Sequence, residues 1–349
     1  MKALRVEVSR PYEVLIGGGL LDGLGARCAE SVSGRQAILV SDSRVFPIYG
    51  EIAARSLRGA GFELCEYVFP AGEKSKTPET LFEIINTAAE HGLDRGDLFV
   101  ALGGGVCGDL CGLAAALYCR GTAFVQVPTS LLAMVDASVG GKTAVDLPAG
   151  KNLAGTFHQP ALVLCDVDCL HTLPDKFFSD GMAEAIKCAC LGGKRFFEGL
   201  ERPEPPDMEE LIYACIRLKA ELVAGDEFDA GVRQLLNFGH TLGHAIEKCS
   251  GYGIAHGSAV AIGMAMITRG CVRLRMCEPG LDSRLEALLR RYKLPVRTNL
   301  PLEEVIAASR SDKKRRGSGI TLVLPCAAGE CRLETLPFQM LETIAREGM

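Results

Sequence analysis

An α/β N-terminal dinucleotide-binding domain with a parallel sheet, followed by a mainly α-helical C-terminal domain, is the fold class this sequence predicts. Three observations carry it. The first half alternates short β-like runs with helical patterns, as a parallel sheet with helices on both faces requires. A glycine-rich turn, Gly103-Gly104-Gly105-Val106-Cys107-Gly108-Asp109, stands where a predicted strand meets a predicted helix. After Asp166, β-like runs almost vanish until Ile320-Thr321-Leu322-Val323-Leu324. The 349 residues suit roughly two domains of about 150 each. The predicted division is 1–167 and 168–349.

Each element has a local reason. Ala37-Ile38-Leu39-Val40 is apolar and stops at Ser41-Asp42-Ser43; a helical segment follows from Ile52 to Leu57. Phe62 to Phe69 alternates apolar and polar residues and ends at Pro70-Ala71-Gly72. Thr77-Pro78 reads as an N-cap with proline in the first turn, opening a helix through Ala89. Asp97 to Leu102 is a buried strand running into the glycines, Gly108 to Leu117 is helical, and Ala123 to Pro128 is the next strand. Gly140-Gly141-Lys142-Thr143 and Gly150-Lys151-Asn152 read as glycine-rich loops. In the second half, Phe178 to Leu191, Met208 to Ala224, Leu235 to Cys249, Ser258 to Arg275 and Leu281 to Tyr292 carry helical patterns.

Composition excludes several classes. The net charge is −5 and the pI is near 5.8, so no basic field exists to hold a nucleic-acid backbone or an anionic membrane. An anionic ligand must be met by a local cluster. The 15 cysteines include no CxxC pair and often lie in apolar runs, so they read as small buried hydrophobes in a reducing cytosol. The first residues break their apolar run with Arg5, Glu7 and Arg10, unlike a signal peptide, and no stretch reaches about 18 apolar residues. A cytoplasmic protein is expected.

The glycine turn fits GxGxxG. Glycine lets a backbone approach a pyrophosphate, and a helix N-terminus offers free N–H groups. The acid that usually follows about 20 residues later is missing, since the next strand ends at Pro128-Thr129-Ser130. Asp42, after an earlier strand, or Glu73 is left to take that part. Three of six histidines cluster at His240, His244 and His256. The i, i+4 pair shares one helix face, and a catalytic zinc wants about three N or O ligands, with Glu184 as the candidate carboxylate. The adjacent glycines read as leaving room for a ligand. Arg120, Lys142, Lys151, Lys219, Arg233 and the run Asp312-Lys313-Lys314-Arg315-Arg316 are each an ordinary surface charge taken alone. Together they suit a small, highly anionic substrate, with arginine as clamp and lysine as point charge.

On these residues the chain resembles the 3-dehydroquinate synthases of the sugar-phosphate cyclase family. The likeness is densest in Pro70 to Lys76, Gly103 to Asp109, Arg120-Gly121, Gln126 to Asn152, Gly181 to Lys187 and Leu235 to His244. It implies an NAD-binding N-terminal domain, a helical C-terminal domain, an active site between them and a homodimer. It implies Glu184, His240 and His256 as ligands of a divalent metal, zinc or alternatively cobalt, which moves His244 to the substrate side. Asp42, Glu73, Lys76, Gly104, Gly105, Val106, Asp109, Thr129, Ser130 and Thr172 are implied to hold NAD. Arg120, Asp136, Lys142, Lys151, Asn152, Lys187, Lys219, Arg233, Asn237, His244 and one of Lys313 or Lys314 are implied to hold the substrate. That substrate is a phosphorylated sugar acid, 3-deoxy-D-arabino-heptulosonate 7-phosphate, converted to 3-dehydroquinate and phosphate in the shikimate pathway. Two positions depart from the family pattern: Arg44 stands where Asn is usual, and Phe177 where an acid is common. The alternatives are a metal- and NAD-dependent polyol dehydrogenase or another sugar-phosphate cyclase. The dense Lys/Arg set favours a cyclase, because a neutral polyol needs no such pocket.

Overall fold

Residues 1–310, 315–316 and 319–349 are described by a computed structural model. The chain divides into Met1–Leu173 and Pro174–Met349. The break lies beyond the last strand of the first unit because a 3-10 turn, Val167–Thr172, is tied back to that unit. Asp166 accepts from the backbone N–H of Gly19, Leu21 and Asp168, and Tyr49 Oη lies 2.5 Å from Thr172 Oγ1.

The first unit contains β1 (Lys2–Val6), β2 (Tyr12–Gly17), α1 (Leu24–Ser31), β3 (Gln36–Asp42), α2 (Glu51–Gly59) and β4 (Glu63–Phe69). It continues with α3 (Pro78–Glu90), β5 (Leu98–Gly103), α4 (Gly105–Leu117), β6 (Ala123–Pro128), β7 (Lys142–Leu147), β8 (Gly150–Phe157) and β9 (Leu162–Asp166). Its main sheet has the order β1-β2-β9-β6-β5-β3-β4, with every neighbouring pair parallel except β1 and β2. Strands β3, β5, β6 and β9 are buried almost throughout. Cover on both faces is why they read as unbroken apolar runs. The chain passes outward from β3 to β4, then returns to the other side of β3 for β5. The carboxyl ends of β3 and β5 therefore flank a switch point, the place where open parallel sheets hold ligands.

The segments read as glycine-rich loops around Lys142 and Lys151 form an antiparallel hairpin, β7 on β8. Gly155 serves that pairing, since a Cβ there would lie 2.2 Å from the Thr143 carbonyl. The hairpin buries few of its side chains, so its sequence carries little of the alternation that marks a strand.

The second unit holds α5 (Asp175–Leu191), α6 (Lys194–Glu201), α7 (Met208–Gly225), α8 (His240–Cys249), α9 (His256–Arg273), α10 (Leu281–Arg291) and α11 (Leu302–Ser309). A small antiparallel sheet of β10 (Arg315–Arg316), β11 (Gly319–Ala327) and β12 (Glu330–Pro337) precedes α12 (Phe338–Gly348). Helix α9 is the centre: Gly257 and the run from Ala259 to Cys271 are buried, and that run is apolar on every face from Ala259 to Ile267. Leu235 to Cys249 is not one helix. Val232–Asn237 forms a 3-10 turn, and Gly239 at φ 78° lets the chain turn before α8 begins at His240.

The glycines beside the histidines do not leave ligand space. They let helices meet backbone to backbone. A Cβ at Gly263 of α9 would lie 2.1 Å from the Gly239 carbonyl and 3.0 Å from Gly243 N. A Cβ at Gly257 would lie 2.3 Å from the Asp180 carbonyl of α5. Gly263→Ala is therefore expected to destabilise by about 1–3 kcal/mol, the range for overpacking. The denaturant midpoint of the second unit reads this, and an unchanged midpoint would disprove the packing account.

Candidate catalytic site

In the first unit the candidate residues gather at the switch point. Gly103 closes β5, Gly104 caps α4, and a Cβ at Gly103 would lie 3.6 Å from Asp42 Oδ2 at the end of β3. On this side the neighbour of the glycine strand is an earlier strand, β3, and Asp42 ends it. Asp42 Oδ1 accepts from the N–H of Arg44 and Val45, which fixes the carboxylate. Thr129 N donates to the Gly103 carbonyl, and Ser130 Oγ lies beside Gly104. A Cβ at Gly104 or Gly105 would meet only ordinary contacts, at 3.4 Å and 3.5 Å. The turn and the half-buried Val106 therefore leave the start of α4 unobstructed. Thr172 Oγ1 lies 2.5 Å from Tyr49 Oη.

A second knot adjoins α4. Buried Lys76 lies 2.5 Å from Asp109 Oδ2 and donates to Asn152 Oδ1 at 2.5 Å. Asn152 sits at φ 53° and donates its N–H to Asp146, whose own N–H reaches the Lys76 carbonyl. Lys151 pairs with Glu73 at 3.5 Å. Burial pushes the Asp109 carboxyl up, and Lys76 opposes it. Several residues implied for NAD and substrate thus brace one another first. Arg120 is exposed at φ 62°, directly after Cys119 at φ 49°; two adjacent left-handed residues are rare outside constrained sites. Asp136 is half-buried in the turn Ala133–Ala137, Lys142 is exposed at the start of β7, and Phe177 is exposed on α5.

In the second unit Glu184, on α5, is fully buried. Its Oε1 lies 3.4 Å from His240 Nε2 and 3.5 Å from His256 Nε2, and its Oε2 pairs with Lys187 one turn on. None of these contacts has hydrogen-bond geometry, so both carboxylate oxygens lack a hydrogen bond. Burial opposes ionisation, yet Lys187 and His240 outweigh it and hold the Glu184 carboxyl well below its usual range. Burial keeps His240 below the ordinary histidine value. For His256 burial opposes the charge, but Glu184 and Glu247 prevail and push it up to about 10.

The three donors fit a divalent metal. Ligand arms of roughly 2.0–2.2 Å set at tetrahedral angles place donors about 3.3–3.6 Å apart. That is the spacing of Glu184 Oε1 from the two imidazole nitrogens. The far nitrogens are engaged: His240 Nδ1 lies 3.1 Å from the Phe238 carbonyl and His256 Nδ1 lies 3.1 Å from Glu247 Oε2. Such partners leave Nε2 free to ligate. The grouping around Glu184 draws on His240 and His256 and not on the i, i+4 pair of His240 and His244. His244 points an exposed ring beside the other two, with centroids 5.4 Å from His240 and 5.9 Å from His256.

Lys187, Lys219 and Arg233 are buried, against the ordinary reading of lone cations as surface charges. Arg233 Nη1 donates to the Glu227 carbonyl, and Asn237 donates to the Gln234 carbonyl. Helix α7, which carries Lys219, packs on α5 and on the Val232–Asn237 turn. Lys313 and Lys314 lie outside the described residues. Two buried acids went unread in the sequence. Glu247 follows His240 by seven residues on one helix face, and Asp180 precedes Glu184 by four; Asp180 Oδ1 accepts from Ser258 N at the start of α9.

Comparison with known proteins gives the fold and the family. In the solved structure of 2-deoxy-scyllo-inosose synthase complexed with carbaglucose-6-phosphate, NAD+ and Co2+, 26% identical, the TM-score is 0.88 and all of both chains is covered. The 2-epi-5-epi-valiolone synthase of Streptomyces hygroscopicus subsp. jinggangensis 5008, solved with NAD+ and Zn2+ bound, is 28% identical with a TM-score of 0.87, over 100% of this chain and 98% of that one. The fold is thus that of these two synthases. Residues 66–180 match the family model for the 3-dehydroquinate synthase N-terminal part, and residues 181–315 match its C-terminal part. The 3-dehydroquinate synthase of Clostridium acetobutylicum is 41% identical over 342 residues, 96% of each chain. The chain belongs to the 3-dehydroquinate synthase family. No helix among the described residues is long and apolar enough to cross a membrane.

The two lysine pairs differ in burial, so their removal should differ in cost. Lys76→Met strands the Asp109 carboxylate and is expected to cost about 3–5 kcal/mol. Lys151→Met breaks a partly exposed pair worth about 0–1 kcal/mol. Equal losses in chemical denaturation would contradict the bracing role of Lys76.

Proposed function

We propose that this chain converts 3-deoxy-D-arabino-heptulosonate 7-phosphate to 3-dehydroquinate and phosphate, as a carbon–oxygen lyase using NAD and a divalent metal. The observation that carries the reading is the convergence of Glu184, His240 and His256, with unbonded carboxylate oxygens, beside buried Lys187. Glu184, His240 and His256 would hold the metal, zinc or cobalt. Asp42, Gly104, Gly105, Val106, Thr129 and Ser130 would hold NAD, with Glu73, Lys76, Asp109 and Thr172 supporting it. A bound NAD would supply reversible hydride transfer, and a bound metal would supply a Lewis acid for a substrate hydroxyl.

The chain's own side chains position and neutralise. Lys187, Lys219 and Arg233 are cations held out of water, so each acts more strongly on a carboxylate or phosphate than a solvated charge would. Arg233 offers a planar fork that matches two oxygens at once, and Lys187 and Lys219 act as point charges. Arg120, Asp136, Lys142, Lys151, Asn152, Asn237 and His244 complete the substrate contacts, with Lys313 or Lys314. Asn237 is held by the Gln234 carbonyl and presents its amide in one orientation. No side chain is assigned as a strong base; the departing phosphate takes the proton released beside the transient ketone. A homodimer in the cytoplasm completes the proposal, and fifteen free thiols support a reducing compartment.

Phosphate release from the heptulosonate phosphate is expected to require both NAD and metal, with no net NADH. A chelator should end turnover, and added Zn2+ or Co2+ should restore it. His256→Ala should abolish metal loading and phosphate release together. Net NADH from a simple alcohol, without phosphate release, would refute the reading, as would normal turnover by metal-free His256→Ala.

A further inference from the structure

Glu247 has no part in the chemistry above, yet it is buried against the metal cluster. It lies on α8 seven residues after His240 and three after His244, so the three share one helix face. Its Oε2 is 3.1 Å from His256 Nδ1 in hydrogen-bond geometry. The other nitrogen of that ring, Nε2, faces Glu184 Oε1 at 3.5 Å without such a bond. An imidazole that ligates a metal is neutral and carries one N–H; held at Nδ1 toward Glu247, that hydrogen leaves Nε2 its lone pair.

We infer that Glu247 is a positioning residue that orients His256 with Nδ1–H toward its own carboxylate and Nε2 toward Glu184, and thereby raises the metal affinity of the cluster. The inference rests on the metal reading of the proposed function. His240 is held in the same manner, but by the Phe238 carbonyl, which no substitution removes. Glu247 is therefore the partner that can be tested. Ligand atoms of His244, Glu247 and His256 also lie within 4.8 Å of one another, which offers a second grouping. The bond to Nδ1 engages Glu247 Oε2 and His244 is exposed, so the Glu184 cluster, whose oxygens are unbonded, is the stronger ion site.

The test uses the full chain stripped of metal, with Zn2+ and Co2+ titrated against a chromogenic chelator. Glu247→Ala is expected to raise the dissociation constant of both ions by 10- to 100-fold, the usual cost of removing such a partner. Glu247→Gln, whose amide oxygen still accepts Nδ1–H, should recover most of that loss. The visible absorption of bound Co2+ should keep its form in both variants, because the ligands are unchanged. A merely structural role would lower the unfolding midpoint of the stripped protein and leave the metal constants alone, which overturns the inference. Loss of the Co2+ absorption in Glu247→Ala, with its retention in Glu184→Ala, also overturns it by making Glu247 a ligand. A wild-type chain that takes neither ion refutes the metal reading itself, and the wild-type titration alone reveals that case.

Discussion

Backbone contact between α5, α8 and α9 is the constraint on which the second unit depends. Side chains on three helices can share one ion only if the helix axes come close. Ordinary side chains at the crossings would hold helices at 8–10 Å. Here Gly239 and Gly243 of the α8 entry meet Gly263 of α9, and Gly257 meets the Asp180 carbonyl. The helix starts then bring His240 and His256 to Glu184. The glycines thus act on the chemistry through distance, not through space left open for a ligand.

That geometry makes the burial of charge tolerable. A buried carboxylate is costly unless it is paired or coordinated. Glu184 is surrounded by Lys187, His240 and His256, which together more than offset its desolvation. The first unit solves a similar problem differently. Lys76, Asp109 and Asn152 satisfy one another, which ties the segment after β4, the start of α4 and the β7–β8 hairpin into one rigid corner beside the switch point.

Much of this was legible along the chain. The strands of the parallel sheet are buried on both faces, so each shows as an apolar run, and the GxGxxG turn falls between β5 and α4 as read. The long helices appear within a few residues of their predicted ends. The hairpin of β7 and β8 was not legible, because β8 buries none of its side chains fully and shows little of the alternation that periodicity detects. Strand β12 does alternate, Cys331 and Leu333 against Glu330, Arg332 and Glu334, and went unread. The break at Gly239 was hidden inside a helical pattern, since a single left-handed glycine changes the path of the chain without changing its composition.

Local sequence by itself determined the residue types available: three histidines, a carboxylate on an apolar helix, buried-strand runs and a phosphate-suited glycine turn. Which of them act together was decided by tertiary structure. Asp42 comes to stand beside the glycine turn because the sheet sets β3, an earlier strand, next to β5 at the switch point. His256 comes to lie 3.5 Å from Glu184 Oε1, and Glu247 comes to face its other nitrogen, because helix packing controls separation in space. A spacing of four residues ensures only a common helix face, whereas an ion needs donors a few ångströms apart and aimed at one point.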